Sequence, residues 1–117
     1  MADLQPILEV KREEWIAIVS QVPTDKSARF LTIVGSDAGL CLCLEEPDLQ
    51  RFLETALSDT RDAFNDVATR NRIHMESASH SFRPGFARVR INQVYVDIPT
   101  ALLEETMAAL QAAGGAR

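Results

Sequence analysis

Cysteine is scarce in this chain of 117 residues: Cys41 and Cys43 are the only two. Two thiols are too few for a disulfide framework, and no second pair completes a zinc site. On a strand the two share a face with Cα atoms about 6.5–7 Å apart, at the limit of what a disulfide spans. Buried structural thiols in a reducing compartment are therefore expected.

Basic charge is outnumbered. Twelve Lys and Arg stand against seventeen Asp and Glu, a net charge of −5. Phosphate neutralisation drives nucleic-acid affinity, so DNA or RNA as the main partner is disfavoured. Long apolar runs are also missing. No stretch approaches the roughly 18 apolar residues of a membrane span. The first turns of sequence carry Asp3, Glu9, Glu13 and Glu14, where a secretory signal would carry an uninterrupted apolar segment. A cytoplasmic protein with no membrane partner is the expectation. Catalytic signatures are absent too. There is no G-x-S-x-G elbow, and Gly35-Ser36-Asp37-Ala38-Gly39 lacks the Lys-Ser/Thr of a phosphate loop. Nothing in the residues calls for a cofactor or a resident metal.

What remains is a composition of 46% hydrophobic and 25% charged residues, which suits one folded domain over 1–117 with a sizeable core. The sharpest local signal lies between Phe86 and Ile98. Ala87, Val89 and Ile91 are the apolar odd positions, and then Val94, Val96 and Ile98 are the apolar even ones. A straight strand has period 2 and would turn its apolar face outward halfway along. A two-residue turn at Asn92-Gln93 removes the conflict by pairing Ile91 with Val94, Val89 with Val96 and Ala87 with Ile98. Arg88 then faces Asp97, and Arg90 faces Tyr95, on the other side. A β-bulge at the same point is the competing account.

A second hairpin is expected from Arg29–Val34 and Leu40–Leu44 around the Gly35–Gly39 turn. Both of its faces are apolar: one can pack on the chain's own helices, and the other needs cover from more helix or from a second copy of the chain. Pro6, Leu8, Trp15, Ile18/Val19 and Val22 recur at helical spacing and predict a helix over residues 6–22. The β-branched run Trp15–Val22 also fits a strand. Pro47 opens a long central helix whose stripe from Leu49 to Val67/Ala68 runs to about Arg70, with Ser58-Asp59-Thr60 as its weak point. Unbroken, about 24 residues would span roughly 36 Å. Residues Ile73–Phe82 read as a polar strand or extended segment. Pro99-Thr100 begins a last helix that Gly114-Gly115 ends. The expected fold is α+β, an antiparallel sheet of four to five strands built from hairpins, in the order α-ββ-α-βββ-α. No internal repeat is visible beyond this alternation, and no residue motif ties the chain to a family.

Charge is unevenly placed. Residues 67–96 carry Arg70, Arg72, Arg83, Arg88 and Arg90 against Glu76 alone. Arg72, Arg88, Arg90 and Tyr95 are the candidate face for an acidic protein or small anionic ligand, because guanidinium groups beside a tyrosine suit carboxylate or phosphate. His74, Glu76 and His80 share a side if 73–82 is a regular strand, the arrangement of a metal or proton-transfer site. Phe30, Leu31, Ile33, Leu40 and Leu42 are the candidate self-association residues. The expected function is a non-enzymatic binding, adaptor or regulatory module acting as a homodimer. The alternative is a small metal-dependent or acid–base enzyme using the His/Glu cluster.

Overall fold

The computed structural model describes residues 5–81 and 83–115. It is an α+β fold with two antiparallel four-stranded sheets and two helices. The first sheet is β1 (Gln5–Arg12), β2 (Trp15–Val22), β3 (Asp25–Val34) and β4 (Gly39–Glu45), paired in sequence order, followed by α1 (Glu46–Leu57). The second is β5 (Arg61–Asn65), β6 (Arg72–Glu76), β7 (Phe86–Ile91) and β8 (Val94–Pro99), again in sequence order, followed by α2 (Thr100–Gly115). The element order ββββα thus runs twice.

The last hairpin has the register expected from its change of phase. Ile91 pairs with Val94, Val89 with Val96, Ala87 with Ile98, Arg88 with Asp97 and Arg90 with Tyr95. Asn92 turns the chain at φ +56°, a left-handed conformation that asparagine tolerates better than most residues. β3 and β4 likewise pair across the loop after Val34, with Leu31 opposite Leu42 and Ile33 opposite Leu40. The final helix begins at Thr100 and ends at Gly115, with Leu102, Leu103 and Thr106 buried.

Two expectations are overturned. Residues 6–22 form no helix but the hairpin β1–β2, with Arg12 opposite Trp15 across the Glu13-Glu14 turn. Spacing alone left both readings open, and burial decides between them. As a strand, β2 lies between β1 and β3 and puts Ala17 and Val19 into the core. Burying one valine side chain contributes about 1.5–3 kcal/mol, more than the few tenths per residue that separate helix propensities. Pro6 sits on the sheet's edge, where a missing N–H breaks no ladder.

The long central helix is the second correction. α1 stops at Leu57, about 18 Å long at the usual rise. Ser58 is already extended at φ −105°, so the weak point at 58–60 is the helix end. Beyond it Phe64 is fully buried from a strand, and its ring meets Phe52 of α1 edge-on with centroids 5.7 Å apart. The apolar stripe that continued past residue 60 was a strand's inward residue falling in helical phase. One sheet of four to five strands is accordingly replaced by two sheets of four.

Both helices lie on the inward faces. α1 rests on β3 to β6, and α2 crosses β1, β2 and β8. Leu31, Ile33, Leu42 and Leu44 from the first sheet and Ile73, Met75, Val89 and Ile98 from the second join Phe52, Leu53 and Leu102 in one core. The sheets are stapled where β4 meets the segment after β5. The buried Asp66 carboxylate accepts the Cys43 N–H at 3.0 Å and the Ala68 and Thr69 N–H groups at 2.9 and 2.8 Å. The Val67 N–H returns a bond to the Cys43 carbonyl at 2.8 Å. The edge of β4 is therefore occupied.

Candidate functional site

The outer face of the second sheet, opposite the helices, is polar and ordered in rows by strand register. One row reads Arg61, Glu76, Arg88, Asp97 across the four strands. Its charges alternate, so each guanidinium has a carboxylate beside it, the favourable cross-strand arrangement. The next row reads Ala63, His74, Arg90, Tyr95. Arg72 stands on the same face and donates to Asn65 Oδ1 at 3.1 Å.

Within this face the arginines differ. Arg88 is committed: its Nε and Nη2 donate to the two oxygens of Asp97 at 2.8 and 3.2 Å, and its guanidinium lies 4.1 Å over the Tyr95 ring. The Asp97 hydrogen bond holds the Arg88 guanidinium above its ordinary pKa. Arg90 and Arg61 are exposed and make no hydrogen bond or ion pair with the described residues. Half-buried His74 lies beside Arg90 in register and has no side-chain partner there either.

These side chains enclose a depression of about 450 Å³ lined by Arg61, Ala63, His74, Glu76 and Arg90, with Asp62 and Met75 at its margin. Ala63 explains it: one methyl group stands where its row neighbours carry long side chains. Asp62 is turned to Arg51 at 2.9 Å. The site therefore offers two free guanidiniums and an imidazole, bounded by the Glu76 carboxylate. Such a constellation can bind carboxylate or phosphate oxygens.

Of the expected ligand residues, Arg72, Arg88, Arg90 and Tyr95 do share this face, but Arg88 and Tyr95 are engaged with each other. Arg61 and Ala63 were not legible, because the stretch that holds them reads as helix and the alternation of a five-residue strand is too short to override that.

The His74, Glu76, His80 triplet is not assembled. β6 ends at Glu76, so the regular strand it required stops halfway, and residues 78–80 form a turn. Phe82, at the end of that expected strand, lies outside the described residues. His74 and Glu76 flank the depression, whereas His80 Nε2 sits 3.2 Å from Asp59 Oδ1. No group of three or more His, Cys, Asp or Glu side chains among the described residues is placed to hold a metal ion. Ser79 Oγ donates to the same Asp59 oxygen, and Ser77 Oγ lies 3.0 Å from Ser79 Oγ. Aspartate is thus in the middle of this group. A nucleophilic relay needs the imidazole between serine and acid.

The candidate self-association residues divide. Leu31, Ile33 and Leu42 are fully buried in the protein's own core, so they present no surface. Leu40 packs against that core, and Phe30 is half-buried on the opposite face. That face, which carries no helix, includes Ile16, Ile18, Phe30, Thr32 and Val34, with Val34 48% exposed. Cys41 and Cys43 belong to it as well: Cys41 is exposed, while burial and the nearby Asp66 carboxylate push the Cys43 thiol pKa up.

Comparison with protein-family models, with curated proteins and with solved structures returned no match to this chain.

Proposed function

We propose that this protein is a binding module without chemistry of its own, and that the outer face of its second sheet receives an acidic segment of a partner protein. The observation that supports this reading is the trio Arg61, His74 and Arg90, unpaired around Ala63 in a protein that is acidic overall. Exposed ion pairs contribute about 0–1 kcal/mol each. Two of them fall well short of the roughly 4 kcal/mol of even a millimolar complex. A lone small anion is therefore held too weakly; a segment with several carboxylates engages Arg61, Arg90 and Arg72 together, for at most about 3 kcal/mol, and its packing along the sheet face supplies the rest. Arg90 offers a bidentate fork to the central carboxylate. Glu76 repels an acid from the neighbouring position and so sets the register of the segment.

The test is a titration with a labelled decapeptide of alternating glutamate and glycine, at 50 and 300 mM salt. Binding is expected to weaken with salt and to fall at least tenfold in Arg90→Glu and Arg61→Glu. Lys26→Glu makes the same change in net charge on the first sheet and should leave affinity within twofold. Equal loss in Arg90→Glu and Lys26→Glu, or no binding at millimolar peptide, overturns the proposal.

A second reading, pairing of two copies, is favoured by the helix-free apolar face of the first sheet. Light scattering should then give about 26 kDa, twice the 13.0 kDa chain, and Val34→Lys should return it to one chain. A mass of one chain at high concentration sinks this reading.

A further inference from the structure

β8 is an edge strand of the second sheet, and its residues Tyr95, Val96, Asp97 and Pro99 form one side of a groove of about 620 Å³. The β1–β2 turn, with Glu13 and Glu14, and the β3–β4 turn, with Asp37, line the same groove from the first sheet, beside Trp15. We infer that this groove binds an extended, basic segment of another protein as an added strand on β8.

The backbone supplies the first argument. Ile91 and Val94 close a two-residue turn, so they exchange hydrogen bonds, and the alternation of an antiparallel ladder then fixes the rest. Val94, Val96 and Ile98 direct their N–H and C=O groups to β7. Tyr95 and Asp97 direct theirs away from it, toward the open side. Neither makes a further backbone bond among the described residues. Pro99 has no N–H, so the donor row ends there. The free edge thus offers two donors and two acceptors over Tyr95 to Asp97, enough to register a short extended segment. Val94, 68% exposed, and Tyr95, 56% exposed, are apolar surface at that edge.

Charge identifies the occupant. Glu13, Glu14 and Asp37 form no ion pair with the described residues, and of the groove's two arginines Arg12 alone has an acid partner among them. Arg12 pairs with Glu105 at 3.5 Å, and Arg83 lies 3.8 Å over the Phe86 ring. The ring contact leaves Arg83 charged, so the groove's unpaired charges among the described residues are three acids against one base, a net −2, and the complementary segment carries lysine or arginine. A second copy's β8 does not match: its one charged residue is Asp97, which would bring an acid to an acidic wall. This groove adjoins the outer face at Tyr95 and Asp97 but shares no lining residue with the Arg61–Arg90 depression, and it takes ligands of the opposite sign.

Trp15, the sole tryptophan, lines the groove and reports its occupancy. The probe is a capped heptapeptide of alternating lysine and valine, titrated by Trp15 fluorescence. Two N-methylated versions, blocked at odd or at even residues, test the ladder without altering the protein. One phase of methylation should weaken binding more than tenfold and the other by less than threefold. Glu14→Lys combined with Asp37→Lys should weaken it about tenfold, and Arg90→Glu should not. Equal binding by both methylated peptides and the parent overturns strand addition. Equal binding by a glutamate–valine peptide overturns the charge assignment. A dimer that Tyr95→Pro returns to single chains would make a second copy the occupant and likewise overturn the proposal.

Discussion

Replacing Asp66 by alanine removes the staple between the two sheets, and the structure fixes how much that should cost. Its carboxylate is buried and accepts three backbone N–H groups, from Cys43, Ala68 and Thr69. A hydrogen bond to a charged group contributes roughly 1.5–3 kcal/mol. Ala68 and Thr69 are exposed, so their N–H groups recover most of that from water. Cys43 is buried, and its orphaned N–H costs about 1–3 kcal/mol by itself. The expected loss is about 3 kcal/mol, a large part of the 5–15 kcal/mol typical of such a domain. Asparagine is the informative control. It has the same size, but one of its two terminal atoms is an NH₂ that meets an N–H donor, so Asp66→Asn should still cost about 2 kcal/mol. Urea unfolding followed by Trp15 fluorescence reads both variants. With a slope near 1.5 kcal/mol per molar, the alanine midpoint should fall by about 2 M. A silent asparagine variant would mean that shape alone matters at this position. A silent alanine variant would refute the staple altogether.

Three further outcomes follow from local geometry. A Cβ added at Gly35 would stand 2.9 Å from three indole carbons of Trp15, so Gly35→Ala should destabilise by about 1–3 kcal/mol and shift Trp15 emission to the red. Glu13 holds φ +55°, where glycine is unstrained, so Glu13→Gly should stabilise by about 1 kcal/mol and raise the melting temperature by about 4 °C. A thiol reagent at pH 8 should modify exposed Cys41 quickly and Cys43 only on unfolding, because burial keeps the latter a protonated thiol. Equal rates for the two cysteines would contradict that placement.

Legibility in the sequence followed how much each segment decides locally. The Phe86–Ile98 hairpin was readable to the residue pair, because its apolar phase changes at a point where two residues suffice to turn the chain. The last helix was readable from Pro99 and the closing glycines. The β1–β2 hairpin was not, because Leu8, Trp15, Val19 and Val22 satisfy a helical stripe as well as a strand, and pairing with β3, whose partners lie up to 18 residues on, decides the matter. Phe64 misled for a similar reason, sitting by accident in helical phase with Leu53 and Leu57. The site inherited both results. Arg88 and Arg90 were placed on one outer face by the hairpin alone. Arg61 and Ala63, which complete the depression, come from the segment misread as helix. Which arginine is free depends on Asp97 and Tyr95 capturing Arg88, and side-chain packing of that kind leaves no periodic trace.

The anion-binding role of the second sheet is tested most directly by mapping backbone amide shifts during titration with the glutamate–glycine decapeptide. The largest shifts should cluster on residues 61–63, 72–76 and 88–91, with the outer face of the first sheet quiet, and should vanish in Arg90→Glu. Shifts centred on residues 13–15 and 95–97, or none at millimolar peptide, would contradict it.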